Sequence, residues 1–302
     1  MKSMAHSQKT LITRAGAINF PAYIPVTTFG EKYPLDELIR PFLPRISQAV
    51  MVSLFYAKQS KQRLEVPLMV DSGGFASLFS WAIVEERDGL GVIKLNGLEE
   101  SELITPEGVL SFQEDMADIA FTLDFPIPPT RAMEEGELRV KLTIANAVWA
   151  IKNRRRRDMP LYACIQGWDV PSYLGCAERL SDHPFEGVAI GGLVPRARDH
   201  DLVVEVVKKV RSVFPDKPLH VFGLGQPEMV KTLFEIGVDS IDSSSYVKMA
   251  ADGRSWGDTA TGKMLDCSPL RRMHLALGNL ATASQRALPL GLGQITFGYS
   301  NK

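Results

Sequence analysis

Cysteine is scarce in this chain: Cys164, Cys176 and Cys267 are the three among 302 residues, too few and too scattered for a disulfide framework. No uninterrupted apolar stretch approaches the roughly 20 residues that cross a bilayer. The opening MKSMAHSQKTLITRAG is polar and lacks the apolar core of a secretory signal. These absences predict a cytoplasmic protein with reduced thiols and no membrane contact. Neither sign of charge is in excess, with 34 Lys and Arg against 35 Asp and Glu, so global charge predicts neither nucleic-acid binding nor its absence. One local cluster stands out, Arg154 to Arg157, at the end of GELRVKLTIANAVWAIKNRRRR. It reads as cations complementing the negative end of a helix dipole, with a nucleic-acid patch as the alternative.

What is present is a succession of short apolar runs: AYIPVTTF, AVMVSLFYA, PLMVDSGG, IAFTLDFP, LYACIQGW, GVAIGGLV, LHVFGLG and SIDSSSY. None alternates as a half-exposed sheet would, so they read as parallel strands buried on both faces. Amphipathic segments such as PLDELIRPFL, TPEGVLSFQEDMAD, VPSYLGCAERL, DLVVEVVKKVRSVF and PEMVKTLFEIG lie between most of them. Eight strands alternating with helices predict an α/β fold, a (β/α)8 TIM barrel over residues 1–255. Residues 81–100 carry Asp-Gly and Asn-Gly turns between β-prone runs, which predicts a hairpin inserted after strand 3 on the functional face. Residues 256–302 leave the repeat as a C-terminal extension whose RRMHLALGNLATA predicts a helix.

A barrel of this kind builds its active site where each strand gives way to loop. Those junctions hold Asp71, Asp124, Gln166, Gly191 with Gly192, Gly223 with Gly225, and Asp242. The set has no histidine cluster for a catalytic metal and no Lys for Schiff-base chemistry. Three carboxylates around one mouth suit a glycosidic bond, where one attacks or stabilises an oxocarbenium-like centre and another moves a proton. The alternative for each Asp is a helix cap. Asp71 fits a cap less well, because Ser72, Gly73 and Gly74 follow it where helix formers would stand. The two glycines would admit a flat ligand to the backbone, with Phe75 placed to stack on it.

These residues resemble the tRNA-guanine transglycosylases, which exchange guanine in a polynucleotide for a 7-deazaguanine base. IPVTTFG, DSGGF, TPEGVLSFQEDMADIAFTLD, IQGW, AIGGL, GLGQPEMV and GVDSIDSSS occur in the family's order between about residues 20 and 256. The resemblance implies Asp242 as the nucleophile at C1′, forming a covalent glycosyl-enzyme, and Asp71 as the acid/base serving the departing and entering bases. It implies that Asp124 accepts from the N1 and exocyclic amine hydrogens of guanine, with Gln166 and the backbone near Gly191, Gly192 and Leu193 on the O6 side. Phe75, with Met249 or Leu224, would sandwich the ring, the target nucleotide having left its stack. No cofactor is required by such a double displacement.

Departures from the family pattern carry further expectations. The family's Cys-x-Cys-x-x-Cys zinc cluster is missing, and Cys267 with His274 makes only a degenerate site, so a structural zinc is not expected. The stretch after Asp242 reads YVKMAADG, with Lys248 in place of the first of two tRNA-gripping arginines and Ala251 in place of the second. GGLVPRAR carries Arg196 and Arg198 where bacterial members have a Glu linked to a cationic arm on the incoming base. That favours a neutral base such as 7-cyano-7-deazaguanine, and Arg196, Arg198, Lys248 and Arg254 as phosphate contacts. Together the departures resemble the DNA-modifying branch, giving DNA as the expected polymer and tRNA as the alternative. A homo-oligomer is compatible with either, and a partner protein for DNA opening with a DNA substrate. A non-catalytic partner subunit would have lost the nucleophile or the acid/base, and this chain has both.

Overall fold

The computed structural model describes residues 9–28, 34–58, 63–96, 102–130, 133–256 and 268–285. Eight parallel strands form one sheet: β1 (Ala22–Pro25), β2 (Val50–Val52), β3 (Leu68–Val70), β4 (Ile119–Phe121), β5 (Leu161–Ile165), β6 (Gly187–Ile190), β7 (Leu219–Val221) and β8 (Ser240–Ser243). Each lies within one of the eight apolar runs. Their order is β1-β8-β7-β6-β5-β4-β3-β2. The two ends meet through a single parallel bridge between Val26 and Met51 and the Thr27 N–H donating to the Met51 carbonyl at 2.8 Å, so the sheet curls into a (β/α)8 barrel.

Because successive residues of a strand face opposite ways, the apolar residues divide into two clusters. Ala22, Ile24, Met51, Met69, Phe121, Tyr162, Cys164 and Ala189 fill the interior, while Val52, Val70, Leu161, Ile190, Val221 and Ile241 face the helices outside. Tyr162 closes one end against Gly187, where a Cβ would lie 2.5 Å from its ring. Burial on both sides is why these strands read as unbroken apolar runs.

The inserted hairpin is present, Ala82–Arg87 pairing antiparallel with Leu90–Leu95, and Glu102–Ile104 adds a third strand to it. An N-terminal hairpin, Thr10–Thr13 with Gly16–Asn19, also went unread in the sequence. Its strands are short and mostly exposed; Ile18 alone is fully buried among the barrel-interior side chains. The helix Pro269–Ala283 packs on Pro34–Ile39, Pro227–Glu235 and Ser245–Ala251. Asn279 joins it to the barrel, its amide nitrogen donating to the carbonyls of Tyr246 and Arg254. Among the described residues no helix is long and apolar enough to span a membrane.

The four-arginine run has a structural role, carried by specific ion pairs and hydrogen bonds. The helix Met133–Asn153 ends before it. Arg154 is buried and forks onto Glu186, with both contacts at 2.6 Å. Arg155 pairs with Glu114 at 2.8 Å, and Arg156 donates to the carbonyls of Glu114 and Ala117. The run thus ties the chain together just before β5, at the barrel end opposite the strand C-termini. Burial acts to raise the Glu186 carboxyl, but the Arg154 fork and the Leu161 N–H outweigh it and hold Glu186 below its ordinary range. Arg154→Ala is expected to cost about 2–3 kcal/mol in urea unfolding at pH 7. A depressed carboxylate stabilises above its unfolded pKa and loses that contribution as pH falls through its folded one. The deficit should therefore shrink in acid; an equal deficit at pH 7 and pH 3 would refute the pairing.

Candidate active site

Asp71 follows β3 directly. Its Oδ1 accepts from the N–H of Gly73 at 2.8 Å and of Leu54 at 3.1 Å. Gln113, from the helix Pro106–Met116, steadies the backbone beneath it by donating to the carbonyls of Val70 (3.0 Å), Phe121 (2.9 Å) and Asp71 (3.3 Å). Burial pushes the Asp71 carboxyl up to about 6; the two N–H donors oppose this and the negative charges of Asp242 and Asp124 add to it. A carboxyl so placed can hold a proton near neutrality and release it, as an acid/base must.

Asp124 lies beyond β4 and is buried. Ser72 donates to its Oδ1 and Gln166 Nε2 to its Oδ2, each at 2.6 Å. Burial raises its pKa against those two donors. The two side chains fix the plane of the carboxylate, and the remaining lone pairs can accept from adjacent N–H groups of a guanine edge. Gln166 thus has one N–H committed to Asp124, while its Oε1 is buried without a protein partner. That oxygen is open to accept, and the second N–H of the same amide can still donate as the O6 role requires.

The glycines serve the protein's own packing. Gly73 sits at φ +75°, and a Cβ on Gly74 would fall 2.2 Å from the Asp124 carbonyl oxygen. Gly74 therefore lets strands 3 and 4 bring Asp71 and Asp124 to one mouth. Similarly, a Cβ on Gly191 would meet Gln166 Nε2 at 2.2 Å, and the Gly191 carbonyl accepts from the Tyr173 hydroxyl at 2.8 Å.

Asp242 lies within β8 and is 7% exposed. The Gly223 N–H lies 3.1 Å from its Oδ1 and His220 Nε2 lies 3.0 Å from the same oxygen. Neither Asp71, Asp124 nor Asp242 caps a helix; Thr105, Asp169, Asp199 and Ser268 do. The capping alternative is thereby removed, and the three carboxylates converge at the C-terminal ends of strands 3, 4 and 8. His220 was passed over in the sequence, although a lone His inside an apolar strand, two residues before Phe222 on the same face, is a signal for a polar group in the barrel.

The other predicted residues divide. Phe75 is 66% exposed, its ring edge-on to Phe79 at 6.1 Å, free to receive a base. Leu193 and Leu224 are buried, and Met249 is half-buried on the helix that follows Asp242. Arg196 does not face solvent: it is buried, and its Nη1 donates to the carbonyls of Ile127 and Gly192, both at 2.9 Å. Those two bonds hold its guanidinium against the backbone after β4 and β6. Arg198 and Lys248 are exposed, while Arg254 pairs with Asp252 at 2.9 Å. Cys267 lies outside the described residues, and His274 is buried in the last helix. Among the described residues no group of three or more potential ligands could hold a metal ion.

Comparison with known proteins bears on the family of the chain. The family profile described as Queuine tRNA-ribosyltransferase matches residues 8–268. A tRNA-guanine(15) transglycosylase of Pyrococcus furiosus is 33% identical over 246 residues, 78% of this chain and 40% of that protein. Its counterpart in Methanothermobacter thermautotrophicus is 31% identical over 207 residues, 66% of this chain and 28% of that protein. The match therefore spans less than half the length of these relatives. With the motifs, the barrel and the profile in agreement over most of its length, this chain belongs to the queuine tRNA-ribosyltransferase (tRNA-guanine transglycosylase) family.

Proposed function

We propose that this chain is a base-exchange glycosyltransferase that replaces guanine in tRNA with a 7-deazaguanine base by double displacement. The observation that carries this reading is the convergence of Asp71, Asp124 and Asp242 on one mouth with Asp124 clamped by Ser72 and Gln166. Such a clamp suits the donor edge of guanine. Asp242 attacks C1′, Asp71 gives a proton to the departing base and takes one from its replacement, and Phe75 stacks on the ring.

The departures after Asp242 and in GGLVPRAR pointed to DNA. Two considerations now favour tRNA. The curated relatives are named for tRNA, and Arg196, part of the DNA argument, is occupied by backbone carbonyls. A neutral incoming base such as 7-cyano-7-deazaguanine remains the better fit, because the Arg196 guanidinium behind Gly192 disfavours a cationic arm there. No metal or cofactor enters the proposed steps.

The test is to incubate the protein with radiolabelled guanine and either unmodified tRNA or duplex DNA. Label entering tRNA is expected. Label in DNA alone would overturn the polymer assignment, and label in neither would overturn base exchange.

A further inference from the structure

A polar chain runs through the apolar interior of the barrel, and the roles assigned so far do not use it. His220 is fully buried, its ring centred 5.2 Å from Phe121 and 4.9 Å from Phe222. Its Nε2 lies 3.0 Å from Asp242 Oδ1 and its Nδ1 lies 2.8 Å from Ser240 Oγ. Ser240 and Asp242 are two apart on β8, so their side chains share the inner face, and His220 on β7 reaches both.

An imidazole in such surroundings must have both nitrogens bonded, and simple satisfaction would account for that much. The direction of the bonds says more. Both donors that reach the Asp242 side chain, His220 Nε2 and the Gly223 N–H, which is shared with the Asp242 main-chain carbonyl, converge on Oδ1, and Oδ2 has no partner among the described residues. An ionised Asp242 can only accept. In a neutral imidazole Nε2 therefore carries the proton, and Nδ1 takes the hydrogen of the Ser240 hydroxyl.

We propose that His220, held in its Nε2–H tautomer by Ser240, is a positioning residue that fixes Asp242 so that Oδ2 is the attacking atom. This rests on the base-exchange reading. In the first displacement an Oδ2 lone pair forms the bond to C1′ as the C1′–N9 bond breaks, its electrons leaving with the base, which takes the proton of Asp71. His220 transfers no proton; its N–H stays on Oδ1, now the carbonyl oxygen of the glycosyl ester. In the second displacement the N9 proton of the incoming base goes to Asp71, N9 bonds to C1′, and the C1′–Oδ2 electrons return to the carboxylate. The charge restored there again meets the N–H groups of His220 and Gly223.

Three variants test this: His220→Phe, which keeps the ring but removes both nitrogens, His220→Gln, which keeps a donor near Nε2, and Ser240→Ala. In the tRNA exchange assay His220→Phe is expected to lower kcat about 30-fold with KM for tRNA within about 3-fold. His220→Gln should restore kcat to within about 5-fold of the unsubstituted protein. Equal kcat for the Phe and Gln variants, or a loss confined to KM, would overturn the proposal. Should His220→Phe fail to fold, Ser240→Ala decides, with kcat expected to fall several-fold at unchanged KM; an unchanged kcat overturns it. The 15N resonances of the resting protein, with His220 assigned by its absence from His220→Gln, read the tautomer without any turnover. Nε2–H is expected, and Nδ1–H would overturn the positioning role. If the unsubstituted protein exchanges no base, the functional reading fails and the resonances alone decide this one.

Discussion

Asp242→Asn is expected to abolish base exchange, by about 10⁴-fold or more, without a comparable loss of stability. Asn keeps an acceptor where Oδ1 meets Gly223 and His220, so the barrel interior stays satisfied while the nucleophilic oxygen becomes an amide nitrogen. Asp242→Ala is the harsher change, because it leaves the His220 N–H buried without an acceptor, a cost of about 1–3 kcal/mol. The decisive measurement is covalent. Quenching the unsubstituted protein with an RNA stem-loop in denaturant should leave a protein–RNA adduct on a gel, and Asp242→Asn should leave none. Adduct at undiminished yield would transfer the nucleophile to another residue.

The second large effect is a trade of activity for stability at Asp71. Asp71→Asn keeps the acceptor for the Leu54 and Gly73 N–H groups but removes the proton that departs and returns. Exchange should fall by about 10²–10⁴-fold. Stability should move the other way. The folded pKa is raised from 3.8 to about 6, so the fold favours the protonated form, and that advantage is lost as pH rises from the unfolded value through the folded one. Above pH 7 the protein carries a charge that burial opposes. The amide relieves it by about 1–2 kcal/mol, taking roughly half of the full linkage value for a half-buried group. Urea midpoints should therefore coincide near pH 4 and separate between pH 4 and 6, with the variant more stable at pH 8. A variant less stable than the parent at pH 8 would contradict the assigned strain.

The barrel was legible because its strands are buried on both faces, which leaves apolar runs such as LYACI and GVAI without alternation. The carboxylates were legible because a barrel places its chemistry where those runs end. Partner choice was not. Arg196 and Arg198 look alike in GGLVPRAR, yet one is buried against two carbonyls and the other is exposed, a difference set by the loop after β4 that brings Ile127 across. What Gly74 packs against was not legible either, because its neighbour, the Asp124 carbonyl, is 50 residues distant in sequence. His220 was missed for the same reason: its meaning lies in Ser240 and Asp242 on the adjoining strand. The short edge hairpin Thr10–Asn19 has too little apolar pattern to show itself before its pairing is known.

The junction at which the barrel closes divides the chemistry. Asp242 sits on β8, which is paired along four residues with β1, and Asp71 follows β3, which is paired along three residues with β2. Between β1 and β2 there is one bridge. Asp242 and Asp71 therefore flank, from opposite sides, the most sparsely bonded seam in the wall. In the base-exchange reading, the spacing of the two acids depends in part on a seam held by that bridge and by the Thr27 N–H on the Met51 carbonyl, outside the pocket they form.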